Sequence, residues 1–183
     1  MSICRSAIKT MVVVGLWAVT HAMAAETPIS AKATVYFAPN EGAEEAILYA
    51  LGNAKLAIHV QAYSFTSQKI AQAIVSAKKR GVAVAVILDK SQVTQRHSMA
   101  GFLAEQGVPV FIDHSHAIAH NKVMLIDRNL VITGSYNFTK SAEQANAENL
   151  LVMNSADLKE KYQSNWERHF AHSYTYQYKS QSF

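Results

Sequence analysis

The sequence predicts a mixed α/β fold, a largely parallel sheet with helices on both faces. Three observations carry that expectation. Strand-like and helix-like stretches alternate as far as residue 112, Val82–Leu88 is a continuous apolar run, and from Lys122 the chain changes to short strands at hairpin spacing.

The elements follow in order. Ala33–Phe37 reads as a strand, and an Ala/Leu-rich helix runs from Glu41 to about Lys55. Leu56–Phe65 reads as a strand. A helix from about Gln68 to Arg80 is capped by Ser67 and stopped by Gly81, and its apolar positions Ile70, Ile74 and Ala77 recur at helical spacing. Val82–Leu88, ending in Asp89, has the composition of a strand buried on both faces. A helix to about Gln106 and a strand Val108–Ile112 follow, with Pro109 suggesting a sheet edge. Lys122–Ile126 and Leu130–Thr133 are separated only by Asp127, Arg128 and Asn129, which is hairpin spacing. After a polar stretch come a strand Asn149–Met153 and a helix capped by Ser155, with Leu158, Tyr162, Trp166 and Phe170 on one stripe. The Tyr-rich tail 174–183 reads as a loosely held terminus.

The first residues stand apart from this domain. Arg5 and Lys9 precede the apolar run Met11–Val19, and Ala22 and Ala24 supply the small residues of a cleavage site. Residues 1–24 therefore read as a secretory signal and 25–183 as the domain, in the periplasm or secreted, with no membrane association after cleavage. An uncleaved anchor is the alternative, although the run is about half the ~20 apolar residues a spanning helix needs. Cleavage removes Cys4, the single cysteine, and with it any thiolate site or cysteine nucleophile. It also takes the basic count from 17 to 15 against 13 acidic residues. The resulting mild positive charge is compatible with a polyanionic substrate and too small to identify one.

The chemistry concentrates between His120 and Asn137. If Arg128 and Asn129 form a two-residue turn, Asp127 faces Leu130, Lys122 lies opposite Ser135, and His120 lies opposite Asn137. Side chains repeat every two residues along a strand, so His120, Lys122, Ser135 and Asn137 would share one face. A cation, two neutral hydrogen-bonding groups and an imidazole could together hold and attack a phosphate. Asp127 would lie on the other face, roughly 17 Å from Lys122 along the strand, and would be structural.

These residues spell H-x-K-x4-D-x6-G-S-x-N, through His120, Lys122, Asp127, Gly134, Ser135 and Asn137. That pattern resembles the signature of the phospholipase D superfamily. With one motif copy and a signal-like start, the chain is similar to the small EDTA-resistant periplasmic bacterial endonucleases of that family. Residues 61–66 and 146–149 contribute to the likeness.

The resemblance implies a phospholipase D-like fold and a homodimer with one shared active site, because family members need two motif copies per site. His120 of one subunit would attack phosphorus and form a phosphohistidine, while His120 of the other serves as general acid and then base. Lys122, Asn137 and Ser135 would bind the phosphate, Glu148 would orient His120, and Asp127 and Gly134 would be structural. No metal and no cofactor would be required. The substrate would be DNA, with RNA as a second nucleic acid. A lipid phosphodiesterase and a non-catalytic nucleic-acid-binding module are the rival readings.

Other polar residues have plainer expectations. A metal cluster of His114, His116 and His120 is disfavoured because no carboxylate or cysteine of ligand spacing accompanies it, and His114 and His116 are expected to line the loop into the site. His59 reads as a core histidine, His169 and His172 as surface residues, and Lys78–Arg80 as a solvated helix end. Asp89 and Ser64 sit near strand carboxyl ends, where α/β sheets bind ligands.

Overall fold

The structure, a computed structural model, describes residues 28–177. The signal assigned to residues 1–24 lies outside them, as does the end of the tail. Eight strands form one sheet in the order β1-β7-β6-β5-β2-β3-β4-β8. They are β1 (Lys32–Ala38), β2 (Ala57–Ala62), β3 (Ala83–Asp89), β4 (Val110–Asp113), β5 (Lys122–Ile126), β6 (Leu130–Gly134), β7 (Glu148–Asn154) and β8 (Tyr174–Thr175). The α-helices are α1 (Ala43–Asn53), α2 (Gln68–Lys79), α3 (Ala100–Glu105), α4 (Lys140–Gln144) and α5 (Ala156–His172).

The sheet is mixed. Parallel pairing is confined to β2–β3 and β3–β4, and the other five neighbouring pairs are antiparallel. The two α-helical crossovers β2–α2–β3 and β3–α3–β4 make the parallel part, since parallel neighbours need such a connection. The pairings nevertheless leave β1, β2, β3, β4 and β6 pointing the same way, so the carboxyl ends of five strands gather at one end of the sheet.

Alternation along the strands builds two cores. Ile58, Val60, Val84, Val86, Val110, Ile112, Met124, Ile126 and Ile132 meet α1, α2 and α3 on one face. Ile87, Val123, Leu125 and Val131 meet Trp166 of α5 on the other. Helices thus cover both faces. Ser67 and Ser155 cap α2 and α5 as expected, accepting from the backbone N–H of Ile70 and Leu158. Of the α5 stripe, Trp166 is buried and donates through Nε1 to the Val60 carbonyl at 3.0 Å, whereas Phe170 is 40% exposed. His59 stacks on Trp166 with ring centroids 4.4 Å apart, and burial pushes its pKa below the ordinary histidine value.

Several elements differ from expectation. The helix expected between Asp89 and Gln106 is a short 3-10 turn, Lys90–Val93, followed by α3. The polar stretch before β7 contains α4, whose cap Thr139 accepts from Ala142 N. Residues 174 and 175, expected to be loose, form β8 against Phe111 and Ile112, and Tyr176 N donates to Val110 O. β4 is therefore covered on its outer side by the three residues Tyr174, Thr175 and Tyr176. No helix among the described residues is long and apolar enough to cross a membrane.

Candidate active site

The sheet end that collects five strand carboxyl ends also receives the amino ends of β5 and β7. There His120, Lys122, Gly134, Ser135, Asn137 and Glu148 line one open pocket of about 540 Å³. His120 is exposed, whereas Lys122 is 7% exposed. The Lys122 ammonium donates to the His120 carbonyl at 2.9 Å and lies 5.3 Å from the centre of the Tyr63 ring. Burial pushes the Lys122 pKa below the ordinary lysine value, partly offset by the nearby Glu148 carboxylate. A buried cation with few partners suits an incoming anion.

The hairpin that carries these groups is in a different register from the expected one. Val123 opposes Thr133 and Ile126 opposes Leu130, so the loop is three residues long and Lys122 has Gly134, not Ser135, as its cross-strand neighbour. Asp127 causes the shift by joining the loop. It takes φ +54, and its carboxylate accepts from the backbone N–H groups of Lys55, Leu56 and Ala57 at 2.7 to 3.1 Å. This anchorage lies at the opposite end of the sheet from the pocket. The site residues therefore do not meet through one strand face.

They meet because β6 ends in a bulge. Ser135 N and Tyr136 N both donate to the Asn149 carbonyl, at 3.1 and 3.4 Å, so two residues oppose one. Gly134 makes the approach possible. It has φ +152, and a Cβ there would stand 2.2 Å from Asn149 O. Behind the bulge, Tyr136 is buried and its hydroxyl donates to Glu143, which also accepts from Glu44 N. Its neighbours Ser135 and Asn137 turn toward the pocket. Among the described residues Asn137 Oδ1 is buried without a hydrogen-bond partner.

Among the described residues the Glu148 carboxylate accepts two hydrogen bonds. Ser135 Oγ donates to its Oε2 at 2.5 Å and Asn146 Nδ2 donates to its Oε1 at 3.2 Å. Among the described residues no hydrogen bond joins Glu148 to His120. His120 instead packs against Tyr63, with ring centroids 4.7 Å apart. Tyr63 lies within residues 61–66, which contribute to the family likeness, but its residue type alone assigns it no role. Asp89 holds the approach to His120, accepting from Ala119 N at 2.7 Å, and Ser64 lines a neighbouring pocket with Tyr63 and Asn137.

The remaining histidines are arranged differently from expectation. His116 lies on the loop from β4 to His120, as expected, but is not among the residues that line the pocket. It packs with His169 and His172 around Asp113, and His169 and His172 are partly buried, not free surface residues. His114 packs on Tyr174, at 5.3 Å between ring centroids.

Comparison with known proteins places this geometry in a family. Residues 47–170 match the cardiolipin synthase, PLD-like domain. Over 138 residues the chain is 38% identical to a phospholipase D of Rickettsia felis, covering 75% of this chain and 69% of that protein. It is 33% identical to a mitochondrial cardiolipin hydrolase of Xenopus tropicalis over 122 residues, which are 67% of this chain and 58% of that one. Among solved structures it superposes on Nuc, a phospholipase D family member from Salmonella typhimurium, with TM-score 0.77 and 36% identity over 81% of this chain and 99% of that chain. NucT from Helicobacter pylori matches with TM-score 0.75 and 25% identity, over 80% and 100%. By motif, fold and likeness together, the chain belongs to the phospholipase D superfamily and is a phosphodiesterase of that family.

Proposed function

We propose that this phosphodiesterase is a metal-independent endonuclease that hydrolyses DNA, and RNA as a second substrate, as a homodimer with one shared site. The observation that carries the reading is the pocket itself, where an exposed imidazole stands beside a buried lysine together with Ser135, Asn137 and Glu148. A phosphodiester anion repels nucleophiles, so donors placed in advance must neutralise its charge. Lys122, Ser135 and Asn137 have the chemistry to do so.

The reaction then runs in two displacements. The neutral His120 imidazole attacks phosphorus, a P–O ester bond breaks, and the leaving oxygen takes a proton from the imidazolium of the partner's His120. Water next attacks the phosphohistidine, the P–N bond breaks, and the partner's His120, now neutral, accepts the water proton. Atoms and protons balance without a metal. Glu148 would bias the imidazole of the facing subunit, since among the described residues its carboxylate is occupied by Ser135 and Asn146 alone.

Two features support pairing with a second copy. A chain with one motif supplies one histidine where the chemistry uses two. The edge strand β1 also exposes Val35 and Phe37, by 50% and 52%, and Phe37 is paired with Asn149, next to Glu148. An apolar edge beside a half-site suits an isologous contact. Against a lipid substrate, the large apolar groove of Tyr36, Tyr49, Ala50, Leu130 and Val152 opens at the Asp127 end, away from His120. The names of the Rickettsia and Xenopus relatives keep the lipid reading in the test.

Purified protein is incubated in EDTA with plasmid DNA and, separately, with phosphatidylcholine vesicles. DNA cleavage without choline release is expected, and His120→Ala should abolish it. Choline release with intact DNA would replace the nuclease reading by the lipid one. Export to the periplasm or medium belongs to the same proposal, and a mature N-terminus at Ala25 is the result that supports it.

A further inference from the structure

Away from the pocket, one buried carboxylate carries three imidazoles. Asp113 closes β4 and its side chain is fully buried. His116 Nδ1 is 3.0 Å from Asp113 Oδ2, His169 Nδ1 is 2.6 Å from the same oxygen, and His172 Nε2 is 3.3 Å from Oδ1. One ligand atom from each of the four residues falls within 4.8 Å of all the others. We infer that Asp113, His116, His169 and His172 form a structural site for a divalent transition ion, zinc by its chemistry, that ties the end of β4 to the end of α5.

The donor set suits that ion. Three imidazole nitrogens and one carboxylate oxygen make a complete tetrahedral shell, and bonds of roughly 2.0–2.2 Å place such ligands roughly 3.3–3.6 Å apart. The observed Asp–His separations, 2.6 to 3.3 Å, lie at or below that spacing, and the four ligand atoms are all within 4.8 Å of one another, so the side chains must rotate somewhat apart to seat the ion. Hydrogen bonding alone leaves the arrangement unexplained. Among the described residues His172 Nε2 is buried without a hydrogen-bond partner, although it lies 3.3 Å from Asp113 Oδ1. A buried ring nitrogen without a partner, beside three other ligand groups, is what a cation would take up. The carboxylate is also oriented from behind, with Ser115 N donating to Oδ1 at 3.1 Å, the kind of outer contact that fixes a metal ligand.

The location gives the ion its task. Asp113 and His116 belong to the strand end and loop that lead to His120, and His169 and His172 to the last turn of α5, next to β8. Lys90 Nζ holds the His116 carbonyl at 2.9 Å, and Asp89 holds Ala119 N, so the loop is fastened along its length. An ion here would lock α5 and β8 onto the sheet and fix the route into the pocket. It touches no residue of the reaction, so this site and metal-independent hydrolysis stand or fall separately.

The test uses the full protein, stripped with EDTA and then titrated with zinc chloride under calorimetry and thermal melting. One equivalent per chain should bind, raising the melting temperature by about 5 °C or more at saturating zinc. Cobalt(II) should give the intense visible bands of a tetrahedral ion. His169→Ala and the milder His172→Gln should each lose the shift, and His120→Ala should keep it. No zinc-dependent shift in the wild type, or a shift unchanged in both cluster variants, would overturn the site. A shift lost in His120→Ala would move the ion to the pocket and overturn it equally. DNA cleavage in EDTA below the melting range reads the reaction independently.

Discussion

Gly134 and Lys122 show how much of the motif is backbone geometry and how much is charge. A Cβ at Gly134 meets the Asn149 carbonyl at 2.2 Å, so Gly134→Ala should destabilise the fold by about 2 kcal/mol or more in urea unfolding and misplace Ser135 and Asn137. Activity should fall even at temperatures where the variant stays folded. Lys122→Met keeps the buried stem and removes the ammonium. It should leave the melting temperature near the wild-type value while turnover drops about 10²- to 10³-fold, the scale of losing one preorganised charge contact. A variant with unchanged turnover would remove Lys122 from phosphate binding. His120, Lys122, Ser135 and Asn137 were legible in the sequence because their spacing is local. Tyr63 and Asn146 lie in segments that contribute to the likeness, 61–66 and 146–149, but each reaches the site from a separate segment and neither residue type announces a role.

Among the elements, the β5–β6 hairpin is the instructive case. Its existence was legible and its register was not, because the residue that sets it bonds to a segment some seventy positions earlier. Burial pushes the Asp127 carboxyl up, but the N–H groups of Leu56, Lys55 and Ala57 more than offset that and hold its pKa below the usual value. A folded pKa below the unfolded one contributes stability above the unfolded value of about 3.9, and that stability is lost as pH falls through the folded value. Asp127→Asn should therefore cost about 1–2 kcal/mol at pH 7 by urea unfolding, with activity retained. The gap to wild type should narrow below about pH 4. A gap that stays constant into acid would mean the carboxylate charge is not what matters. The Asp113 cluster escaped the sequence for a similar reason: two of its histidines sit on α5, where the i, i+3 pair reads as helix surface.

For the molecule as a whole, the shared-site proposal makes a quantitative statement. A dimer of wild-type and His120→Ala chains has one imidazole in its single site and should not turn over. Under subunit exchange with excess mutant, activity should fall as the square of the wild-type fraction. A linear fall, or a fully active monomer in sedimentation, would mean that each chain carries its own site. The fold class was legible as alternating elements, but the sheet order was not, because β1, β7 and β8 join it through pairings between distant segments. That late closure matters before the protein ever meets a substrate. β4 lies beside β3 with its outer edge covered only by Tyr174, Thr175 and Tyr176. During synthesis this edge must wait, unpaired, until α5 and β8 have been made far downstream. An open strand edge is a template for another chain. A protein cut after Ser173 should refold with more light scattering than the full chain, and the difference should grow with concentration.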